Sequence, residues 1–381
     1  MTSEDNNSFE AERFGKFLLT EKVGEGGMAE VFRARTAWVE GVAKEVCVKR
    51  ILPPMADDQL LRDMFVQEAR IAVSLSHANI VPVFEFGIVD EYYFLSMEFV
   101  DGYTIRDIMM QSARQRKWLP TALALHVISE ALEGLDYAHR KRDNDERSLG
   151  IVHRDMTPGN VMGSVEGEVK ILDFGIAAIG EAGGAQLVKG RGKPGYMAPE
   201  QAVGMAVDAR ADIFSVAVML YELLTHRRLF KNKNPAKTPV VPPSRLNGEV
   251  PPTLDPVVLR ALSPAPSERY ASAGEFRDAI HDYMHHNGLR GGRSQLATAL
   301  AALFEHEVRA PRPRSSYEVH LRSPRKRKRT TTSTSMEVKV GDARLDDGRK
   351  GGRRGLWITL AMLLVLGGAA AAYYYFMVLQ Q

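Results

Sequence analysis

Ile151-Val152-His153-Arg154-Asp155-Met156-Thr157-Pro158-Gly159-Asn160, followed thirteen residues after Asn160 by Asp173-Phe174-Gly175, decides the reading of this chain. The two segments set a carboxylate at 155, a side-chain amide at 160 and a second carboxylate at 173 on two adjacent loops. Asp155 is suited to accept a hydroxyl proton. Asn160 and Asp173 offer hard oxygen ligands of the kind that hold Mg²⁺ on a phosphate. The set predicts phosphoryl-transfer chemistry.

Upstream, Val23-Gly24-Glu25-Gly26-Gly27-Met28-Ala29-Glu30-Val31 is a glycine-rich turn between two strand-like runs. The missing Cβ atoms let backbone amides approach phosphate oxygens. A dinucleotide-binding turn is excluded because no helix follows; Val31-Phe32-Arg33-Ala34-Arg35 continues as strand. Val46-Cys47-Val48-Lys49 is a β-run whose terminal ammonium can reach phosphates. Glu68, inside a helix predicted over Asp57 to Leu75, supplies a carboxylate to hold that ammonium in place. Strand period puts Cys47 on the face of Lys49. Downstream, Glu200 and Arg269 are expected to form a structural ion pair, and Asp212, at a helix start, to tie down the loop of Asp155.

Taken in order, GEGGMAEV, VCVK, the helix Glu68, HRDMTPGN, DFG, YMAPE and RADIFS make the chain resemble the eukaryotic-like Ser/Thr protein kinases of bacteria over residues 14 to about 285. The resemblance implies an α+β, bilobal protein-kinase fold: a β-rich N-lobe with one main helix over 14–100 and a mainly α C-lobe over 101–285. It implies ATP with Mg²⁺, Mn²⁺ being an alternative metal, and protein substrates. By the same resemblance Asp155 is the catalytic base, Asn160 and Asp173 the metal ligands, and Lys49 with Glu68 the phosphate-orienting pair. Val23, Gly24, Gly26, Gly27 and Val31 cover the nucleotide, Met97 is the gatekeeper and Glu98 to Val100 the hinge. Cys47 lines the pocket beside Val31 with Met162 opposite. The rival readings are a nucleotide-binding pseudokinase scaffold and a small-molecule phosphotransferase, the second disfavoured by the YMAPE run and its Arg269.

The chain departs from that pattern at two linked positions. Thr157 stands where the family has Lys, and Lys193 where it has Thr. The changes are reciprocal, so an exchange is expected in which the Lys193 ammonium reaches the γ-phosphate and Asp155 from the other loop. Residues 176 to 197 contain no Ser or Thr, so this loop is expected to be ordered without phosphorylation. The polar run Lys141 to Leu149 reads as a lengthened surface loop, resembling one in kinases of myxobacteria and their relatives.

Charge and hydropathy organise the rest. Residues 309–354 carry 15 Lys/Arg against 5 Asp/Glu, a net of +10, which leaves about −7 for the remainder of a chain whose total is +3. The positive charge belongs to a tail, so nucleic acid is not expected as a partner. One Cys excludes an internal disulfide. The polar start of the chain lacks a signal-peptide pattern, and residues 1–13 read as a tail. Beyond 285 a helix capped by Ser294 is expected to run to Val308, with Leu296, Leu300, Leu303 and Phe304 on one face. Residues 309–354 read as a basic linker. Leu356 to Leu379 is charge-free, and a transmembrane helix is expected over 355–379. Arg349, Lys350, Arg353 and Arg354 before it place the large N-terminal part on the cytoplasmic side of an inner membrane. Gly367 with Ala371 and Gly368 with Ala372 fit a packed helix pair, hence a homodimer.

Overall fold

The computed structural model describes residues 10–25, 29–36, 43–51, 59–174, 193, 195–231 and 234–305, with the side chains of 25, 59–64, 67 and 68 left out. The chain divides into units 1–327 and 328–381, and the second lies outside the described residues. The expected linker over 309–354, the membrane helix over 355–379 and its pairing lie outside them as well.

The first sheet has six antiparallel strands in the order β1-β2-β3-β4-β6-β5. They are β1 (Glu12–Phe14), β2 (Phe17–Glu25), β3 (Ala29–Thr36), β4 (Glu45–Ile51), β5 (Val83–Val89) and β6 (Tyr92–Glu98), with helix α1 (Gln59–Ser74) between β4 and β5. Alternation in β4 buries Val46 and Val48 on one face with Phe14, Phe17, Leu19, Phe32 and Phe94. Ile51, Leu95 and Met97 pack against Phe65 and Ala69 of α1 on the other. The folded part starts earlier than the expected boundary at 14. Glu12 pairs with Leu19, and its carboxylate accepts from Arg50 at 3.0 Å.

A second, three-stranded sheet follows: β7 (Gly102–Thr104), β8 (Val161–Ser164) and β9 (Val169–Ile171), in that order. The run that starts at Ile151 has the composition of a strand but is not one. Ile151 and Val152 are buried, but their segment joins no ladder, because its amides are used to shape the loop that follows. Helices α2 (Ile105–Gln115), α3 (Thr121–His139), α4 (Pro199–Ala202), α5 (Arg210–Thr225), α6 (Asp255–Ala261), α7 (Ala273–His286) and α8 (Arg293–Phe304) build the second lobe. Helix α5 is buried along nearly its whole length, which makes it the axis on which this lobe is packed. The run at Lys141 to Leu149 folds on itself as a surface excursion. Arg142 bridges to Ser148, and the Asp143 carboxylate accepts from the amides of Asp145 and Arg147.

Helix α8 is an integral part of the second lobe. Leu296, Leu300, Leu303 and Phe304 are all buried, as their spacing requires. Its N-cap is Gly292, not Ser294, and it ends at Phe304; Gly292, in an extended conformation, lets the chain enter from the α7 side. The Phe304 ring stacks on Tyr103 of β7 at 3.5 Å and 4°. The amides of Gln111 and Gln115 donate to the Leu303 carbonyl, satisfying a helix-end acceptor. Arg293 pairs with Glu166 and Glu168 at 2.8 and 2.9 Å. Gly167, at φ +82°, lies where any Cβ would strike the Arg293 carbonyl. Phe304→Ala is expected to cost about 3 kcal/mol, read from the urea midpoint. An unchanged midpoint would show that the helix is dispensable.

Candidate active site

Between the lobes lies a cavity of about 600 Å³, the size of a site for a nucleotide-sized ligand. Val23, Gly24, Val31, Cys47, Lys49, Met97, Glu98, Val100, Met162 and Asp173 all line it. Strand register brings them together: Val31 pairs with Lys49 and Cys47 with Met97 across adjacent strands, while Thr104 pairs with Met162 in the second sheet. Gly26 and Gly27 lie outside the described residues, as does the side chain of Glu68, whose backbone is in α1.

Lys49 is buried, and its ammonium meets Asp173 Oδ1 at 3.0 Å. Burial pushes the Cys47 thiol up to about 12, with Asp173 adding to the rise and Lys49 opposing it. So little thiolate remains at neutral pH that Cys47 is an inert wall of the cavity.

The loop of Asp155 is held from below by Asp212, which is fully buried. One Asp212 oxygen accepts from the Arg154 amide at 2.8 Å, and the other from the His153 amide and His139 Nε2, both at 2.8 Å. Burial alone would raise the Asp212 carboxyl, but these donors outweigh it and hold the group below its ordinary range. His153 Nε2 reaches the Leu172 carbonyl at 3.1 Å, and its ring packs on Phe174 at 4.9 Å. The Leu172 amide bonds to the Asn160 carbonyl at 2.8 Å. The two loops read from the sequence are thus clamped together. Arg154 at φ +62° and Asp173 at φ +42° sit in left-handed backbone, costing of order 1 kcal/mol each and held by these bonds.

Asp155 itself accepts at both oxygens: Asn160 Nδ2 donates to Oδ2 at 3.1 Å, and the Lys193 backbone amide to Oδ1 at 3.2 Å. Asn160 Nδ2 also donates to the Asp155 carbonyl at 2.8 Å, leaving the Asn160 side-chain oxygen as an acceptor. Thr157 is buried. Residue 193 therefore reaches Asp155 through its amide, while no side-chain bond of Lys193 occurs among the described residues. Burial, then Arg106 and Arg228, hold the Lys193 ammonium below its usual value against the pull of Asp155 and Glu222.

Several residues of the site went unread in the sequence. Asp101, Thr104, Asp107, Gly159 and Leu172 also line the cavity. Thr104 and Asp107 cap α2 reciprocally, a Thr-x-x-Asp pattern that marks a helix start. Lys170 of β9 pairs with Glu98 at 2.8 Å, a contact between segments 72 residues apart in sequence that only the fold joins.

The Glu200–Arg269 pair is buried and bidentate, at 2.7 and 2.8 Å. The remaining guanidinium hydrogens go to the carbonyls of Ser263, Pro264 and Arg210, so each of its five donors has an acceptor.

Comparison with known proteins agrees with this geometry. The family described as protein kinase domain matches residues 17–248. The chain is 36% identical over 306 residues to Tyrosine-protein kinase MasK of Myxococcus xanthus, covering 77% of this chain and 47% of that one. It is 35% identical over 278 residues to Serine/threonine-protein kinase PksC of Streptomyces coelicolor, covering 69% and 48%. It is also 35% identical over 276 residues to Serine/threonine-protein kinase PknB of Mycobacterium tuberculosis, covering 69% and 42%. The chain spans about half the length of these curated relatives. Among solved structures it resembles the PknI kinase domain of M. tuberculosis, with a TM-score of 0.57 and 27% identity over 72% of this chain and 98% of that one. The matched segment contains both clamped loops and every described residue that lines the cavity, and on that ground the chain belongs to the protein kinase domain family.

Proposed function

We propose that this protein transfers the γ-phosphoryl group of ATP to Ser or Thr hydroxyls of protein substrates, with Asp155 accepting the hydroxyl proton. The observation that carries the reading is the clamp between the Asp155 loop and the Asp173 loop at the mouth of a nucleotide-sized cavity. Adenine fits between Val31, Cys47 and Met162, with its polar edge toward the Glu98 to Val100 backbone, and Lys49 orients phosphate oxygens. Asn160 and Asp173 fit a hard cation. The Asn160 oxygen is not used by Asp155, and among the described residues no group of three His, Cys, Asp or Glu forms a closed metal cage, which suits Mg²⁺ shared with phosphates. When bound, Mg²⁺ neutralises charge developing on the transferring group. The chain's own residues do the rest. Asp155, braced by Asn160 and the Lys193 amide, aims its free lone pairs at the incoming hydroxyl.

Serine and threonine are proposed as acceptors on the motif resemblance and the printed names of PksC and PknB. The name of MasK points to tyrosine for that relative. Phosphoamino-acid analysis of the labelled product decides it: phosphoserine or phosphothreonine is expected, and phosphotyrosine alone would contradict the assignment.

The Lys193 ammonium is proposed to serve the γ-phosphate in place of the absent Lys at 157; burial, then Arg106 and Arg228, lower its pKa from the usual value, so an anion beside it is favoured. Lys193→Ala is expected to lower turnover about 10²-fold, and Thr157→Lys with Lys193→Thr to restore most of it. A double variant no better than the single would count against the exchange. The apolar run at 356–379 is proposed to tether the enzyme to an inner membrane with the kinase domain cytoplasmic, with helix pairing as the route to a dimer. Deleting 355–381 is then expected to move the protein from the membrane fraction to the soluble one.

A further inference from the structure

One wall of the nucleotide cavity is a ladder three residues long, and the far side of that ladder is covered by α8. Across β7 and β8, Gly102 pairs with Ser164, Tyr103 with Gly163 and Thr104 with Met162. Successive strand residues point to opposite faces, so these pairs divide. Gly102, Thr104 and Met162 line the cavity, whereas Tyr103 and Gly163 meet the helix. The Phe304 ring lies flat on Tyr103. A Cβ on Gly163 would stand 3.2 Å from Leu300 Cδ1 and 3.9 Å from Leu296 Cδ2, so both leucines rest against bare backbone. A ladder this short has little stability of its own; its rigidity comes from what packs on it.

A second path joins the helix to the same site. Gln111 and Gln115 of α2 donate to the Leu303 carbonyl at 3.4 and 2.7 Å, and Ile108 Cδ1 lies 3.7 Å from the same Cβ position of Gly163. The start of α2 carries Thr104 and Asp107, which cap the helix and line the cavity. Leu296, Leu300, Leu303 and Phe304 do not line the cavity themselves. They act on it through β7, β8 and α2. The matched protein kinase segment ends at residue 248, and α8 begins at Arg293, so the motifs that define the site make no use of this helix.

We infer that α8 is a positioning element of the nucleotide site: Leu300 and Phe304, acting through Gly163 and Tyr103, hold the β7–β8 wall in the shape that binds ATP. This rests on the reading of the cavity as a nucleotide site and adds to it residues from outside the motifs. Releasing the helix frees the wall to adopt other arrangements, and nucleotide must then bind the fraction that keeps the competent one.

The test uses the full chain and titration with a fluorescent ATP analogue. Phe304→Ala is expected to raise the Kd about tenfold, with the KM for ATP rising alongside it and kcat staying within about twofold. Phe304→Tyr keeps a ring on Tyr103 and is expected to bind as the parent chain does. Leu300→Val trims the same contact less and is expected to raise the Kd about threefold, so the outcome does not hang on whether Phe304→Ala folds. Leu262→Ala removes packing from the core of the same lobe at a residue that does not line the cavity, and its Kd is expected to match the parent's. An unchanged Kd in the Phe304 and Leu300 variants would overturn the inference. So would an equal loss in Leu262→Ala, which would mean that any loosening of the lobe weakens binding. Nucleotide binding that depends on Phe304 in a chain that transfers no phosphate keeps this inference and sinks the kinase reading. Transfer by Phe304→Ala at the parent's KM for ATP does the reverse, and a parent chain that binds no nucleotide ends both.

Discussion

Asp155→Asn is expected to slow phosphoryl transfer about 10³-fold, within the span a positioned general base supplies, while nucleotide affinity stays within about threefold. The substitution keeps the shape of the side chain and removes its capacity to take a proton. The nucleotide cavity does not include residue 155, so binding and turnover separate. The comparison is made by single-turnover kinetics alongside titration of a fluorescent nucleotide. Turnover within a few-fold of the parent protein would remove Asp155 from the base role. A parallel loss of nucleotide binding would mean that the loop itself had collapsed.

Arg269→Ala is expected to be the most destabilising single change away from the site, at about 3–5 kcal/mol. It strands Glu200 as a buried charge and leaves the carbonyls of Ser263, Pro264 and Arg210 without their donor. The midpoint of urea denaturation measures it. Replacing both partners together, Arg269→Met with Glu200→Leu, is expected to recover part of the loss, because no unpaired charge then remains. A loss below about 1 kcal/mol in the single variant would show that water reaches the pair.

What could be read in the sequence was what chemistry forces into a fixed order. On the proposed function Asp155, Asn160 and Asp173 present oxygens to one small volume; the structure joins their loops through His153, Leu172 and Asn160, and Asp212, a residue also picked from its place at a helix start, holds the Asp155 loop. Period did the same for Cys47 and Lys49, which share the cavity wall, and for the buried face of α8. Short and distant features stayed hidden. Strand β7 is three residues long, too short for a period. Its Gly102 is required because a Cβ would lie 2.2 Å from the Gly163 carbonyl oxygen, a packing fact that no local pattern records. The run at 151 has the composition of a strand, yet its backbone amides turn to Asp212 instead of a neighbouring strand. Lys170 reads as an ordinary surface charge until the fold sets it against Glu98. The contact of residue 193 with Asp155 was expected from the side chain and is made by the backbone, because a loop that passes close enough to serve the carboxylate offers its amide first.

The most direct measurement is transfer of label from γ-labelled ATP to a generic protein substrate, with Mg²⁺ and with the metal removed by a chelator. The account predicts label in the protein only when Mg²⁺ is present, recovered as phosphoserine or phosphothreonine. Tight nucleotide binding with no label transferred would contradict it, and would make the chain a nucleotide-binding scaffold whose changes at Thr157 and Lys193 are losses.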